Sequence, residues 1–209
     1  MKTILFLFAA LLLSLSARAA GELPRRAQAS AESYPKVDVI YDSVAGRAGE
    51  KLRTIMTRPH GAKGKLPVIF VAGWLSCDSV EAPADTKDAT GIVFRGLAQM
   101  PGFCLFRLDK QGVGDSEGDC AQNDFEAELA GYRAAFRALG KYDFVDSNQV
   151  YILGISNGGG FAPLVPESEA ERAGIKGYIS VGGWVKTWFE TCLRSSGAGL
   201  PWRENLRAK

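Results

Sequence analysis

Apolar residues along the chain recur in two periods. Residues 37–41, 52–56, 66–71, 103–108, 150–153 and 175–181 form short, dense runs of Val, Ile, Leu, Phe and Tyr. Runs of that length and composition predict β-strands. The first two are joined by a Gly-containing turn and read as a hairpin. Residues 123–139 follow the other period. Phe125, Leu129, Tyr132, Phe136 and Leu139 stand four, three, four and three apart, so they line one face of a helix. Asn123 and Glu126 suit a capping box at its start, and Gly140 a stop at its end. A second helix is expected over 90–100. Strands apolar on both faces, alternating with helices, imply an α/β fold with a largely parallel sheet.

The N-terminal pattern differs. Lys2 precedes an unbroken apolar run over 4–13, and Ala17-Arg18-Ala19 follows. This is the layout of a secretory signal over residues 1–19. A membrane-spanning helix needs ~20 apolar residues, and Ser14, Ser16 and Arg18 interrupt the run first. The polar, Ala-rich stretch 20–36 reads as a linker. The expected product is exported, periplasmic or extracellular, with no membrane segment after cleavage.

Composition narrows the function classes. The 209 residues are 46% hydrophobic and 23% charged, which excludes collagen-like, disordered and multi-span membrane chains. The formal charge of +2 comes from Lys2 and Arg18; without residues 1–19 the bases and acids balance. No basic face suggests nucleic acid as a partner. There is no Walker loop and no His/Cys/carboxylate cluster at ligand spacing, so no metal or other cofactor is expected. Of the four cysteines, Cys104 sits in an apolar run and reads as a buried thiol. Cys77 and Cys120 fall in loops and are better bridge candidates than Cys192.

Two segments match Gly-x-Ser-x-Gly: Gly154-Ile155-Ser156-Asn157-Gly158 and Gly114-Asp115-Ser116-Glu117-Gly118. A nucleophile elbow needs a strand entering a tight turn and a helix leaving it. Ser156 has a strand before it and a helix-capable segment after. Ser116 has no strand before it, and two flanking carboxylates would disfavour its alkoxide. Ser156 is therefore the candidate nucleophile, the bland alternative being an ordinary strand-to-helix turn.

With hairpin, strand, Gly73-Trp74-Leu75-Ser76-Cys77, helix, strand, Asp109-Lys-Gln-Gly-Val-Gly-Asp-Ser, helix, strand and elbow in that order, residues 37–190 resemble the N-terminal part of an α/β-hydrolase. Within that superfamily the chain is most similar to secreted serine aminopeptidase-like and prolyl-oligopeptidase-like enzymes. The resemblance implies an α/β-hydrolase-type, mostly parallel sheet with an N-terminal antiparallel hairpin. It further implies that Ser156 attacks an ester, thioester or amide carbonyl of a small molecule or peptide. The oxyanion would be held by the backbone N–H groups of Asn157 and Trp74, with Leu75 as second choice for the latter. Ala72-Gly73 stands where many relatives have His-Gly, and wall packing is the alternative role for Trp74. Asp109 and Asp115 would tie down their own loop, and Cys77 would pair with Cys120 across adjacent loops.

The family order of triad residues is Ser, then Asp or Glu, then His. Here the single histidine, His60, precedes Ser156 by 96 positions. A seven-residue strand after it, ~23 Å long, would separate it from the elbow. The expectation is a partial hydrolase domain over 37–192 with its last strands missing and an irregular tail over 193–209. Three accounts follow: a serine hydrolase cut short, a non-catalytic exported binding protein with a hydrolase fold, or a chain completed by a C-terminal fragment. Nothing in the residues indicates the substrate.

Overall fold

The structure, a computed structural model, describes residues 21–26 and 30–183. The proposed signal at 1–19, the tail at 193–209 and Cys192 lie outside the described residues. Six strands form one mixed sheet: β1 (Val37–Ala45), β2 (Lys51–Pro59), β3 (Leu66–Ala72), β4 (Cys104–Leu108), β5 (Val145–Ile155) and β6 (Ile175–Val181). Their spatial order is β1-β2-β4-β3-β5-β6. β1 pairs antiparallel with β2, and β2 antiparallel with β4, while β3 is parallel to both β4 and β5, and β5 to β6. The expected hairpin and parallel sheet are both present.

The helices are α1 (Ala89–Ala98), α2 (Phe125–Ala138), α3 (Gly158–Phe161) and α4 (Glu169–Gly174). Side chains alternate across a strand, which explains why β3 is apolar throughout. Val68, Phe70 and Ala72 join one core with Phe106, Tyr132, Phe136 and Ile152, on the side of α2. Ile69 and Val71 join the other with Ile55, Leu105, Leu153 and Phe94 of α1. Together these two layers bury the central strands on both faces. Among the described residues, no helix is long and apolar enough to cross a membrane.

Three local readings need correction. Asp124 caps α2, its side chain accepting from the Ala127 N–H, while the Asn123 amide donates to Glu128 at 3.2 Å. Asp and Asn serve equally well at an N-cap, and Asp124 is the one adjoining the first helical residue. Phe125, assigned to the buried stripe, is half exposed and stacks instead on Phe161, with 4.9 Å between ring centroids. The stretch read as a linker contains docked residues: Leu23, Glu32 and Tyr34 are buried. Tyr34 Oη donates to the Ala82 carbonyl at 2.9 Å, and Glu32 pairs with Arg107. Composition hid this docking because the anchors are three residues in an otherwise polar run. A capping box with the spacing of Asn123 and Glu126 does stand at the start of α4, formed by Ser168 and Glu171.

Candidate active site

β5 runs into Ser156, whose φ of 53° is the single positive value at a non-glycine position among the described residues. That left-handed conformation costs a residue with a Cβ about 1–3 kcal/mol, so surrounding contacts must enforce it. The Ser156 N–H donates to the Val181 carbonyl of β6 at 2.8 Å, and the Ser156 carbonyl accepts from the Gly159 N–H at 3.0 Å. The flanking glycines are demanded by space. A Cβ on Gly154 would stand 2.6 Å from the Gly158 carbonyl oxygen and the Gly159 Cα. One on Gly158 would stand 2.0 Å from the Ala72 carbonyl oxygen and 2.3 Å from that of Gly73. All of these obstacles are backbone, which cannot swing aside as a side chain can. The glycines thus let the helical turn α3 lie against both its own strand and the end of β3.

The same contacts bring the Gly73-Trp74-Leu75 loop to the elbow. β3 and β5 are neighbours, with Ala72 opposite Gly154, so both loops leave the same sheet edge. The indole of Trp74 stacks on Phe94, centroids 5.8 Å apart, and walls a cleft of about 600 Å³ that also reaches Ile155, Asp78, Glu81 and Asp88. The packing role considered for Trp74 is therefore real for its side chain. Its N–H, like that of Asn157, donates to no group among the described residues.

Behind this loop lies a buried polar cluster. The Gly73 N–H donates to Tyr132 Oη at 2.8 Å, and Tyr132 Oη donates to Glu128 at 3.1 Å. Lys110 Nζ donates to the carbonyls of Trp74 (2.8 Å) and Leu75 (2.7 Å) and stands 3.7 Å from Glu128. Burial pulls the Lys110 ammonium below the usual lysine range and pushes the Glu128 carboxyl up. Burial and the nearby Glu128 carboxylate together raise the Tyr132 phenol well above its ordinary value. The sequence signal for this cluster was Glu128, a carboxylate one position from Leu129 on the apolar face of an amphipathic helix.

Arg53 of β2 organises the neighbouring loops. Its guanidinium is paired with Asp109, Asp115 and Glu81, and donates to Ser79 Oγ at 3.0 Å. Burial opposes the charge, yet Asp109 and Glu81 hold the guanidinium above its ordinary pKa. Asp109 and Asp115 thus face Arg53, and Asp109 also accepts from the Val80 N–H at 2.8 Å. Ser116, the serine of the second Gly-x-Ser-x-Gly match, is fully buried. Its hydroxyl accepts from the Arg53 N–H and donates to the Asp109 carbonyl, both at 2.8 Å. A charged residue inside an apolar strand was the available signal for Arg53, as for Arg107 in β4.

Cys77 and Cys120 form a disulfide that ties the loop after β3 to the loop after β4. Cys104 is a buried free thiol. His60 is exposed in the turn after β2 and lies 3.0 Å from Asp38 of β1. It is therefore at the entry to β3, whereas the elbow follows the exit of the parallel strand β5. Among the described residues, no group of three or more His, Cys, Asp or Glu side chains is arranged to hold a metal ion.

Solved structures of low sequence identity share this fold. A hypothetical protein of Pseudomonas aeruginosa matches at a TM-score of 0.60 and 18% identity, over 90% of this chain and 60% of its own. Acetyl xylan esterase 1 of Thermoanaerobacterium sp. matches at 0.55 and 16%, over 89% of this chain and 59% of its own. The fold is that of the α/β-hydrolases. Oligopeptidase B of Trypanosoma brucei shares this hydrolase fold at 0.53 and 10% identity, over 69% of this chain and 20% of its own. The chain spans about 60% of the length of the first two. No protein-family model and no curated protein matches the sequence.

Proposed function

We propose that Ser156 is the nucleophile of an acyl hydrolase acting on an ester, thioester or amide bond. One observation carries this reading: a serine held at φ 53° between two glycines that backbone contacts forbid to be anything larger. Such a turn lifts a hydroxyl out of the strand end, at an energetic cost that an ordinary connection would avoid. In the proposed reaction, Ser156 Oγ bonds to the carbonyl carbon, and the oxygen of that carbonyl takes the negative charge. The N–H groups of Asn157 and Trp74 then donate to that oxyanion, a role worth ~3 kcal/mol per donor in comparable sites. The leaving group departs with a proton, and water releases the acyl group from Ser156.

The reaction needs a base to take the hydroxyl proton, and His60 is at the wrong end of the sheet. We assign this chain the nucleophile and oxyanion half of the machinery, with acid and base supplied by a complementing C-terminal segment. The bridge between Cys77 and Cys120 supports an exported protein, since disulfides persist in oxidising compartments. A second reading, an exported binding protein that keeps the fold without the chemistry, is favoured by the same missing base.

Labelling separates them. Full-length chain treated with a fluorophosphonate is expected to be modified at Ser156 slowly, and faster when imidazole in the buffer substitutes for the missing base. The Ser156→Ala variant should stay unmodified. A folded chain unlabelled even with imidazole supports the binding-protein reading. Strong Ser156-dependent turnover of p-nitrophenyl acetate without imidazole would show that no complementing segment is needed.

A further inference from the structure

We infer that Lys110, together with Glu128 and Tyr132, is the positioning device of the oxyanion loop; the inference rests on the assignment of Ser156 as nucleophile. The argument is geometric. Three consecutive residues of the loop after β3 are held from beneath by two side chains. Tyr132 fixes the N–H of Gly73, and Lys110 fixes the carbonyls of Trp74 and Leu75. Each peptide unit is planar and trans, so fixing one atom of a unit orients the whole unit. The held units are Ala72–Gly73, Trp74–Leu75 and Leu75–Ser76. The unit between them, Gly73–Trp74, carries the Trp74 N–H. It is bracketed on both sides, and its own carbonyl oxygen abuts Gly158 of the elbow. The donor is therefore aimed without being touched, and remains available to a ligand.

Loop stability alone does not explain the choice of residues. Where this loop reaches the surface, at the 59% exposed Leu75, its carbonyls would ordinarily be solvated by water. Here a lysine with a 7% exposed side chain is buried to reach them, beside a glutamate with a 4% exposed one. Burying charge is costly unless every bond is made. Glu128 and Tyr132 stand four apart on α2, hence on the same helix face, and both converge under the loop. Asn123 Nδ2 donates to the second Glu128 oxygen and completes the cluster. A rigid, prepaid arrangement of this kind is what an oxyanion donor requires, because its orientation cannot be assembled at the moment of reaction.

The test uses the full chain and two readouts. Lys110→Met should lower the backbone ¹⁵N order parameters of Trp74 and Leu75 from about 0.85 to below about 0.6, while β3 and α2 stay rigid. The same variant should slow imidazole-assisted fluorophosphonate labelling of Ser156 on the order of 10²-fold. Lys110→Gln, which keeps two N–H donors without the charge, should restore most of both and serves if the Met variant does not fold. Tyr132→Phe should loosen Gly73 and slow labelling to a lesser degree. A rigid loop in Lys110→Met, or a mobile loop with unchanged labelling, overturns the inference. If the wild-type chain is not labelled at all, the assignment of Ser156 fails, and the order parameters alone then decide whether Lys110 holds the loop.

Discussion

Glu32 and Arg107 are 75 positions apart, and their side chains form a two-bonded ion pair, at 2.6 and 2.7 Å, that no solvent reaches. Arg107 is the penultimate residue of β4 and also donates to the Val80 carbonyl at 2.8 Å. Glu32 accepts from the Ala82 N–H as well. The pair therefore fastens the N-terminal stretch to the sheet and to the loop that walls the cleft. Removing one partner leaves the other charged and buried. Glu32→Ala should lose about 3–5 kcal/mol in urea unfolding. The double variant Glu32→Leu/Arg107→Met should recover most of that loss, because no charge is then stranded.

The same pair sets an acid limit. Burial opposes ionisation of Glu32, but the Arg107 guanidinium wins and holds its carboxyl below the ordinary value of 4.5. The unfolded chain thus binds this proton at a higher pH than the folded one. The stability it contributes is complete above pH 4.5 and is lost as pH falls through the lowered folded value. Unfolding free energies measured across that range should fall less steeply in Glu32→Gln than in the wild type.

Strain at Ser156 has a stability signature. Ser156→Gly removes the Cβ that makes φ 53° costly and should be more stable than Ser156→Ala by about 1 kcal/mol. Gly158→Ala should act in the opposite direction, since its Cβ meets two backbone carbonyls. A loss of several degrees in melting temperature is expected. Thermal unfolding of the three variants checks the elbow geometry independently of any activity.

Redox chemistry offers the fourth check. Non-reducing peptide mapping should recover Cys77 joined to Cys120. Reducing that bridge opens a loop of sequence separation 43, with an expected cost of about 4 kcal/mol from chain entropy. Cys104 should resist iodoacetamide at pH 8 in the folded chain, because burial pushes its thiol up to about 12. Prompt modification of native Cys104 would contradict its place in the core.

Legibility tracked the range of the interactions involved. The strands and the tight turn at Ser156 were readable because their signals are local: dense apolar runs, two glycines around a serine, a strand before and a helix after. Ser116 was rejected on the same local grounds, and its hydroxyl is indeed enclosed between the Arg53 N–H and the Asp109 carbonyl. The Cys77–Cys120 bridge followed from the resemblance to a hydrolase sheet, not from the cysteines' own spacing. Lys110 and Arg53 were missed, since their partners lie 36 and 56 positions away. A charge inside an apolar strand marks Arg53 as unusual, but nothing local names its partners. The N-terminal stretch was misread for the same reason.

By itself, then, the sequence determined the alternation of strands and helices, the turn that strains Ser156, and the absence of any histidine after it. Those are properties of neighbouring residues and of composition, which need no third dimension. The tertiary structure alone decided which charges are buried together and what lies under the Trp74 loop. It also decided that a stretch resembling a linker is clamped to β4. A buried ion pair is stable only when both partners leave water together, and that condition is met by the fold, never by a residue on its own.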